Sequence, residues 1–162
     1  MAEFFNRQAY KYVLLPRDEA PFEIDLNART VKVPANFSKC ASVQKDQIAE
    51  LVIFSADRFF DYMDLANTLI YVQWVTPEDK KNNIPEKIGA TRIKMIDLDT
   101  EPGKIRFAWP LTDEVTAVAG NVKFSVRFFR LANGAEPNAN NAGDIVYSLN
   151  TIENVIPIKA AL

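Results

Sequence analysis

Histidine is absent from the 162-residue chain, and with it go the commonest general base, the usual proton shuttle and the most frequent metal ligand. Ser-His-Asp and Cys-His nucleophilic catalysis and histidine-based zinc sites are excluded by composition. Cysteine occurs once, as Cys40, so no intrachain disulfide can form. In a polar stretch without a companion thiol it reads as a small filler residue, not a nucleophile. Charge of a single sign is lacking too: 19 Lys and Arg against 21 Asp and Glu leave a net charge of -2, which offers neither nucleic acid nor an anionic membrane a basic field. No apolar run approaches the roughly 20 residues of a membrane span, and the first residues lack the charged-then-apolar order of a signal peptide. The expectation is a product made soluble in the cytoplasm. Phosphate-cradling glycine loops, dinucleotide fingerprints and interleaved basic-aromatic patches are also missing.

What is present is aromatic and short in period. Eleven Phe, nine Pro and five Gly accompany apolar residues in brief alternating blocks, the profile of an all-β domain. The length suits one domain that buries a core without disulfide staples. Two strands organise the pattern. In 104–109, Ile105, Phe107 and Trp109 alternate with Lys104, Arg106 and Ala108; in 122–130, Val122, Phe124, Val126 and Phe128 alternate with Lys123, Ser125 and Arg127. Period-2 alternation gives each strand one buried face. The connection between them is long enough for a short helical turn, with Thr112 as N-cap and Gly120 as its end.

The remaining segments follow the same logic. Residues 1–21 read as an arm: Phe4, Phe5, Tyr10, Tyr12, Leu14 and Leu15 are apolar or aromatic but are set off from the first clean strand by the stretch from Pro16 to Pro21. The arm is equally an extra edge strand of the same domain or a segment that docks on another chain. Phe22, Ile24 and Leu26, a turn at Asn27-Ala28-Arg29, then Val31 and Val33 predict a short hairpin or a strand pair bridging sheets. Residues 36–47 are polar, a loop with a helical turn, and 50–55 form a buried strand. The aromatic stretch 57–67 reads as a loop packed by its own rings. Strands are expected at 69–75, with Ile70, Val72 and Trp74 on one face, and at 89–98, which a Glu101-Pro-Gly103 turn joins to the strand at 104. Residues 131–143 form an Asn-, Ala- and Gly-rich loop. Strands at 144–149 and 152–158 close the chain, the second at an edge because of Pro157. Eight or nine strands with almost no helix predict a two-sheet antiparallel β-sandwich, Ig-like or jelly-roll-like, with an extended N-terminal arm.

Carboxylates pair in sequence at Asp61 and Asp64, Asp97 and Asp99, and Asp113 and Glu114. Such pairs can serve glycoside hydrolysis or hold calcium, but only spacing supports them. Asp97 and Asp99 precede a Pro-Gly turn and Asp113 and Glu114 suit a helix start, so solvated or capping roles are expected for all six. Trp74 and Trp109 could stack on sugars, yet both fall on faces assigned to the core. No catalytic residue, metal site or cofactor is expected, and the chain is expected not to be an enzyme.

From residue 22 onward the order of segments resembles a domain of tailed-bacteriophage baseplate upper proteins and related virion appendage and head-fibre proteins. The residues that carry this are Glu23-Ile-Asp-Leu-Asn-Ala-Arg-Thr-Val-Lys-Val-Pro34, Asp64-Leu-Ala-Asn-Thr-Leu-Ile-Tyr-Val-Gln-Trp74 and Gly103-Lys-Ile-Arg-Phe-Ala-Trp-Pro-Leu-Thr112. They continue with Ala119-Gly-Asn-Val-Lys-Phe-Ser-Val126 and Tyr147-Ser-Leu-Asn-Thr151. The resemblance implies an arm at 1–21 and a β-sandwich virion-attachment domain at 22–162, in a non-enzymatic structural component of a tailed-phage virion: a head-fibre base, capsid decoration or baseplate adaptor. Its partners would be other virion proteins and copies of itself, with no nucleic acid and no membrane, in a virion assembled in the host bacterial cytoplasm. The long arm departs from the family's pattern, and the absence of a coiled-coil or receptor-binding region after Leu162 fits a base or adaptor better than a whole fibre. The rival reading is a carbohydrate- or host-receptor-binding module on the same sandwich, for which Trp or Tyr exposed in a groove would speak.

Overall fold

The computed structural model describes residues 20–34, 42–43, 51–132 and 145–160. In chain order the strands are β1 (Phe22–Asp25), β2 (Thr30–Lys32), β3 (Ser42–Val43), β4 (Leu51–Asp57), β5 (Phe59–Phe60), β6 (Met63–Asp64) and β7 (Leu69–Val75). They continue as β8 (Ile88–Arg92), β9 (Met95–Asp97), β10 (Lys104–Pro110), β11 (Gly120–Leu131), β12 (Ile145–Asn150) and β13 (Asn154–Lys159). Among the described residues the one α-helix, α1 (Asp113–Thr116), lies between β10 and β11, and 3-10 turns occupy Leu65–Asn67 and Lys80–Asn82. The fold is all-β, as expected. One sheet runs β2-β1-β4-β10-β9, and a second runs β3-β13-β11-β7-β8, with β12 also paired to β11; β5 and β6 make a separate hairpin. All but the last two residues of the expected arm, with its six apolar candidates Phe4, Phe5, Tyr10, Tyr12, Leu14 and Leu15, lie outside the described residues, as do Cys40 and nearly all of the loop at 131–143.

The inner faces of the two sheets share one apolar cluster. Ile105, Phe107 and Trp109 of β10 meet Val122, Phe124 and Phe128 of β11 in it. Rings from opposite sheets touch directly: Phe54–Phe124 at 5.9 Å, Phe107–Phe128 at 5.8 Å and Trp109–Phe124 at 5.7 Å between centroids. Edge-on and tilted pairs at these separations add to what burial alone supplies.

Several expectations need correction, among them the edge placement of the last strand, since β13 lies between β3 and β11. The sheets are mixed, not antiparallel throughout: β1 runs parallel to β4, and β3 parallel to β13. A parallel neighbour needs a long crossover, and the stretch from β1 to β4, which includes β2 and β3, provides it. Next, the single strand expected at 89–98 is two: β8 belongs to the second sheet and β9 to the first. The chain changes sheets at Ile93, which is buried and whose amide donates to the Ile70 carbonyl at 2.8 Å. Finally, β10 is buried on both faces. Arg106 and Ala108, on the side away from Phe107, are only 2% and 0% exposed. The charge is tolerated there because Arg106 stands opposite Asp97 across the ladder and lies 3.7 Å from the Glu101 carboxylate, and a buried charge costs least when an opposite charge is close.

Thr112 does sit at the N-cap of α1, but its carbonyl, not its side chain, takes the Val115 and Thr116 amides at 3.0 and 3.1 Å. Gly120, at φ 129°, begins β11 and does not end the helix.

The long strand β11 anchors the second sheet. β13 pairs its first half and β12 its second, so that Ser125 and Val126 face the three residues Thr151, Ile152 and Glu153. At this bulge the Thr151 amide donates to the Val126 carbonyl at 2.9 Å, and the Thr151 hydroxyl accepts from the Val126 amide at 2.9 Å. A bulge bends its strand, and this one ties the sheets together. The Ile152 amide donates to the Arg29 carbonyl at 2.7 Å, and the Asn154 side-chain amide donates to the Val31 carbonyl at 2.7 Å.

Candidate functional site

The bend at Thr151 brings three segments to one region of the surface: the β1–β2 turn, the β5–β6 hairpin and the strand β12. The turn is set by Asp25, whose carboxylate accepts the Asn27 and Ala28 amides at 3.0 Å each, so that Arg29 is reached with a positive φ of 63°. Short polar side chains that bond their own backbone favour such turns.

The hairpin is held from beneath. Leu65 is fully buried, and its amide donates to the Arg58 carbonyl at 2.7 Å. Arg58 donates through Nε and a terminal nitrogen to both oxygens of Asp64 at 3.0 Å, and Asp64 also accepts the Ala66 amide at 3.0 Å. A two-pronged guanidinium–carboxylate pair fixes orientation as well as charge. Asp61 takes the left-handed turn position, φ 53°, which Asp tolerates better than most residues. Phe60 and Met63 pack against the core margin, but the tip does not fold inward. Phe59 is 60% exposed and Tyr62 86% exposed, which corrects the expectation of a loop packed by its own rings.

Around these rings lie cations and a second tyrosine. The Arg58 guanidinium is 5.1 Å from the Phe59 ring centre and that of Arg29 is 5.8 Å from Phe60. Tyr62 meets Tyr147 of β12 edge-on at 6.4 Å. The Tyr147 hydroxyl is buried with no hydrogen-bond partner among the described residues, and burial pushes its pKa above 10.0. Val146, beside Tyr147 in the chain, is 65% exposed, and Ile152, just past β12, is 60% exposed. The arrangement presents ring faces, aliphatic groups and guanidinium edges, the means of recognising another surface by packing.

Of the carboxylate pairs, Asp61 and Asp64 lie on this hairpin, Asp97 and Asp99 at the end of β9, and Asp113 and Glu114 in α1. Asp64 is committed to Arg58; Asp97, itself buried, accepts the Asp99 and Thr100 amides at 2.8 and 3.1 Å. Glu114 pairs with Lys87 at 3.3 Å. Among the described residues no group of three or more His, Cys, Asp or Glu is placed to hold a metal ion, and no helix is long and apolar enough to cross a membrane. Two open depressions, of about 550 and 510 Å³, lie on outer faces of the sheets, the first lined by Glu23, Lys32, Glu101 and Lys104 and the second by Gln73, Ala90, Lys123 and Ser125. Trp74 and Trp109, the alternative stacking pair, are 2% and 0% exposed and belong to the core.

The Arg58 guanidinium beside Asp64 holds its carboxyl below the ordinary value of 3.8. With the folded value below the unfolded one, the pair's contribution is complete above about pH 3.8 and is lost as pH falls through the lower folded value. The expected result is selective loosening of the β5–β6 hairpin in strong acid, seen as faster amide exchange at Leu65 and Ala66. Asp64→Asn should show the loosened state already at neutral pH. Equal acid sensitivity in that variant would remove Asp64 as the cause.

No protein-family model matches the chain, and no curated protein matches it in sequence.

Proposed function

We propose that the chain is a non-enzymatic β-sandwich module, Ig-like or jelly-roll-like, that works through protein–protein contacts as a structural component of a tailed-phage virion: a head-fibre base, capsid decoration or baseplate adaptor. The observation that carries the contact reading is where large apolar side chains meet water. Phe59, Tyr62, Val146 and Ile152 stand exposed at a hairpin tip, on β12 and at the Thr151 bulge, where a neighbouring protein can cover them. Exposed apolar groups gathered in this way mark contact sites. The virion setting rests on the order of segments, which fall on the β1–β2 hairpin, β7, β10, β11 and β12.

In this reading the partners are other virion proteins and further copies of the chain. The arm at 1–21 supplies a docking segment through Phe4, Phe5, Tyr10, Tyr12, Leu14 and Leu15. Full-length protein should copurify with phage particles at a fixed ratio, and deleting residues 1–15 should leave a folded, soluble domain that is missing from them. Particles that lack the full-length chain would sink the virion reading, and unfolding of the truncated chain would show that the arm belongs to its own domain.

The exposure of Tyr62 and Phe59 favours a second reading, a carbohydrate- or host-receptor-binding module. It expects host-surface binding that disappears in Tyr62→Ala while incorporation into particles persists. Binding that is absent from the wild type, or unchanged in that variant, counts against it.

A further inference from the structure

The ladders determine which main-chain groups each outer strand turns away from its sheet. Because the Thr151 amide donates to the Val126 carbonyl, the two-residue phase of an antiparallel pair turns the N–H and C=O of Leu149 and Tyr147 toward β11, opposite Phe128 and Arg130. Ser148 and Asn150 therefore turn theirs outward. No described strand pairs with that side of β12, and both residues are exposed. Ile145 and Val146 on the same strand are 38% and 65% exposed, and Tyr62 stands beside Tyr147 at its margin.

The other outer strands carry features that discourage a further strand. β2 has Lys32, β8 has Arg92, β9 has Asp97, and β3 is only two residues long. Charges and short length are the ordinary protections of a sheet edge. β12, Ile-Val-Tyr-Ser-Leu-Asn, has no charge, no proline and no glycine, the composition most prone to pair with another strand.

We propose that β12 pairs antiparallel with β12 of a second copy, joining the two second sheets into one continuous sheet across a two-fold axis. The occupant follows from the strand's neutrality. A two-fold axis through β12 sets its central residues against their own counterparts, which a charged strand resists and an uncharged one allows. With the axis at Leu149, Ser148 of one copy meets Asn150 of the other, so that the outward N–H and C=O groups of both residues find partners. Leu149 faces its own counterpart on the core side, and the partner covers the apolar margin at Val146 and Tyr62. This deepens the protein-contact reading by naming a surface. It stands or falls on association in solution, separately from whether the chain is found in particles.

Sedimentation of the full chain across a wide dilution series is expected to show a reversible dimer. The Ser148 and Asn150 amides, which no described strand pairs, should exchange slowly in the dimer and fast on dilution. Proline is tolerated where an edge N–H faces outward, so Ser148→Pro should keep the monomer's melting temperature while weakening association by about tenfold or more. Val146→Lys, which adds a charge at the edge, should do the same and decides the matter alone if the proline variant misfolds. A wild type that stays monomeric, a dimer that persists in the well-folded variants, or protection of those amides only when another protein is added would each overturn the proposal.

Discussion

Truncating Phe124 to alanine is expected to cost about 3–5 kcal/mol of folding stability, the range for deleting a buried aromatic ring. The ring belongs to the second sheet, but the three rings around it belong to the first: Trp109 at 5.7 Å, Phe54 at 5.9 Å and Phe22 at 6.1 Å. The hole left by the substitution lies between layers that Phe107 and Phe128, in contact at 5.8 Å, continue to hold apart. A site that cannot collapse keeps most of its cavity and most of the penalty. Urea titration should show a lower midpoint with little change in slope, since the surface exposed on unfolding is nearly the same. Lys123→Ala, an exposed neighbour on the same strand, should stay within about 0.5 kcal/mol of the wild type. A cost below about 1 kcal/mol for Phe124→Ala would mean that the inter-sheet core is not what holds this domain together.

Alternation in the sequence locates β7, β10 and β11 and their inward faces, because a half-buried strand writes its period into its own residues. It does not say which sheet a strand joins. Residues 88–97 look alike on either side of Ile93, so the crossing from β8 to β9 leaves no mark that local pattern can read. Burial of the second face of β10 is hidden for a related reason: Arg106 looks like a solvent-facing residue, and only the register that sets it opposite Asp97 shows otherwise. The exposed patch is hidden in the sequence because aromatic density in 57–67 suggests packing. A signal was available, since two residues separate the paired Phe60 and Met63, the length of a tight hairpin, with Asp61 at the left-handed position. The side of β12 that no described strand pairs is not legible at all. Its neutral composition is visible in the sequence, but neutrality matters only once the sheet order leaves that side unpaired. The burial of Trp74 and Trp109 is legible, because each lies in phase with buried aliphatic or aromatic neighbours on the same strand.

The edge strand β8 offers the second large effect. Gly89→Ala is expected to destabilise the domain by about 1–3 kcal/mol through overpacking, a large cost for one methyl group. Gly89 stands opposite Trp74 in the β7–β8 ladder, and the indole lies across it. A Cβ at Gly89 would fall 2.3 Å from Trp74 Cζ2 and 2.5 Å from Cη2, well inside van der Waals contact. An aromatic ring laid over a strand glycine covers backbone that the missing side chain leaves bare, and only glycine allows so close an approach. The ring cannot move cheaply: Trp74 is 2% exposed, in the core that joins the sheets, and its Nε1 donates to Thr91 Oγ1 at 3.0 Å. Either β8 shifts away from β7 or the indole tilts and gives up that hydrogen bond. The chain has two tryptophans, so an amide correlation spectrum carries two indole N–H signals, and one of them should move strongly in Gly89→Ala while the Trp109 signal stays nearly in place. Thr91→Ala separates the two contributions: it removes the hydrogen bond alone, should cost about 1 kcal/mol, and should leave the ring where it is. If Gly89→Ala melts within about 0.5 kcal/mol of the wild type and leaves both indole signals in place, the indole does not rest on that glycine.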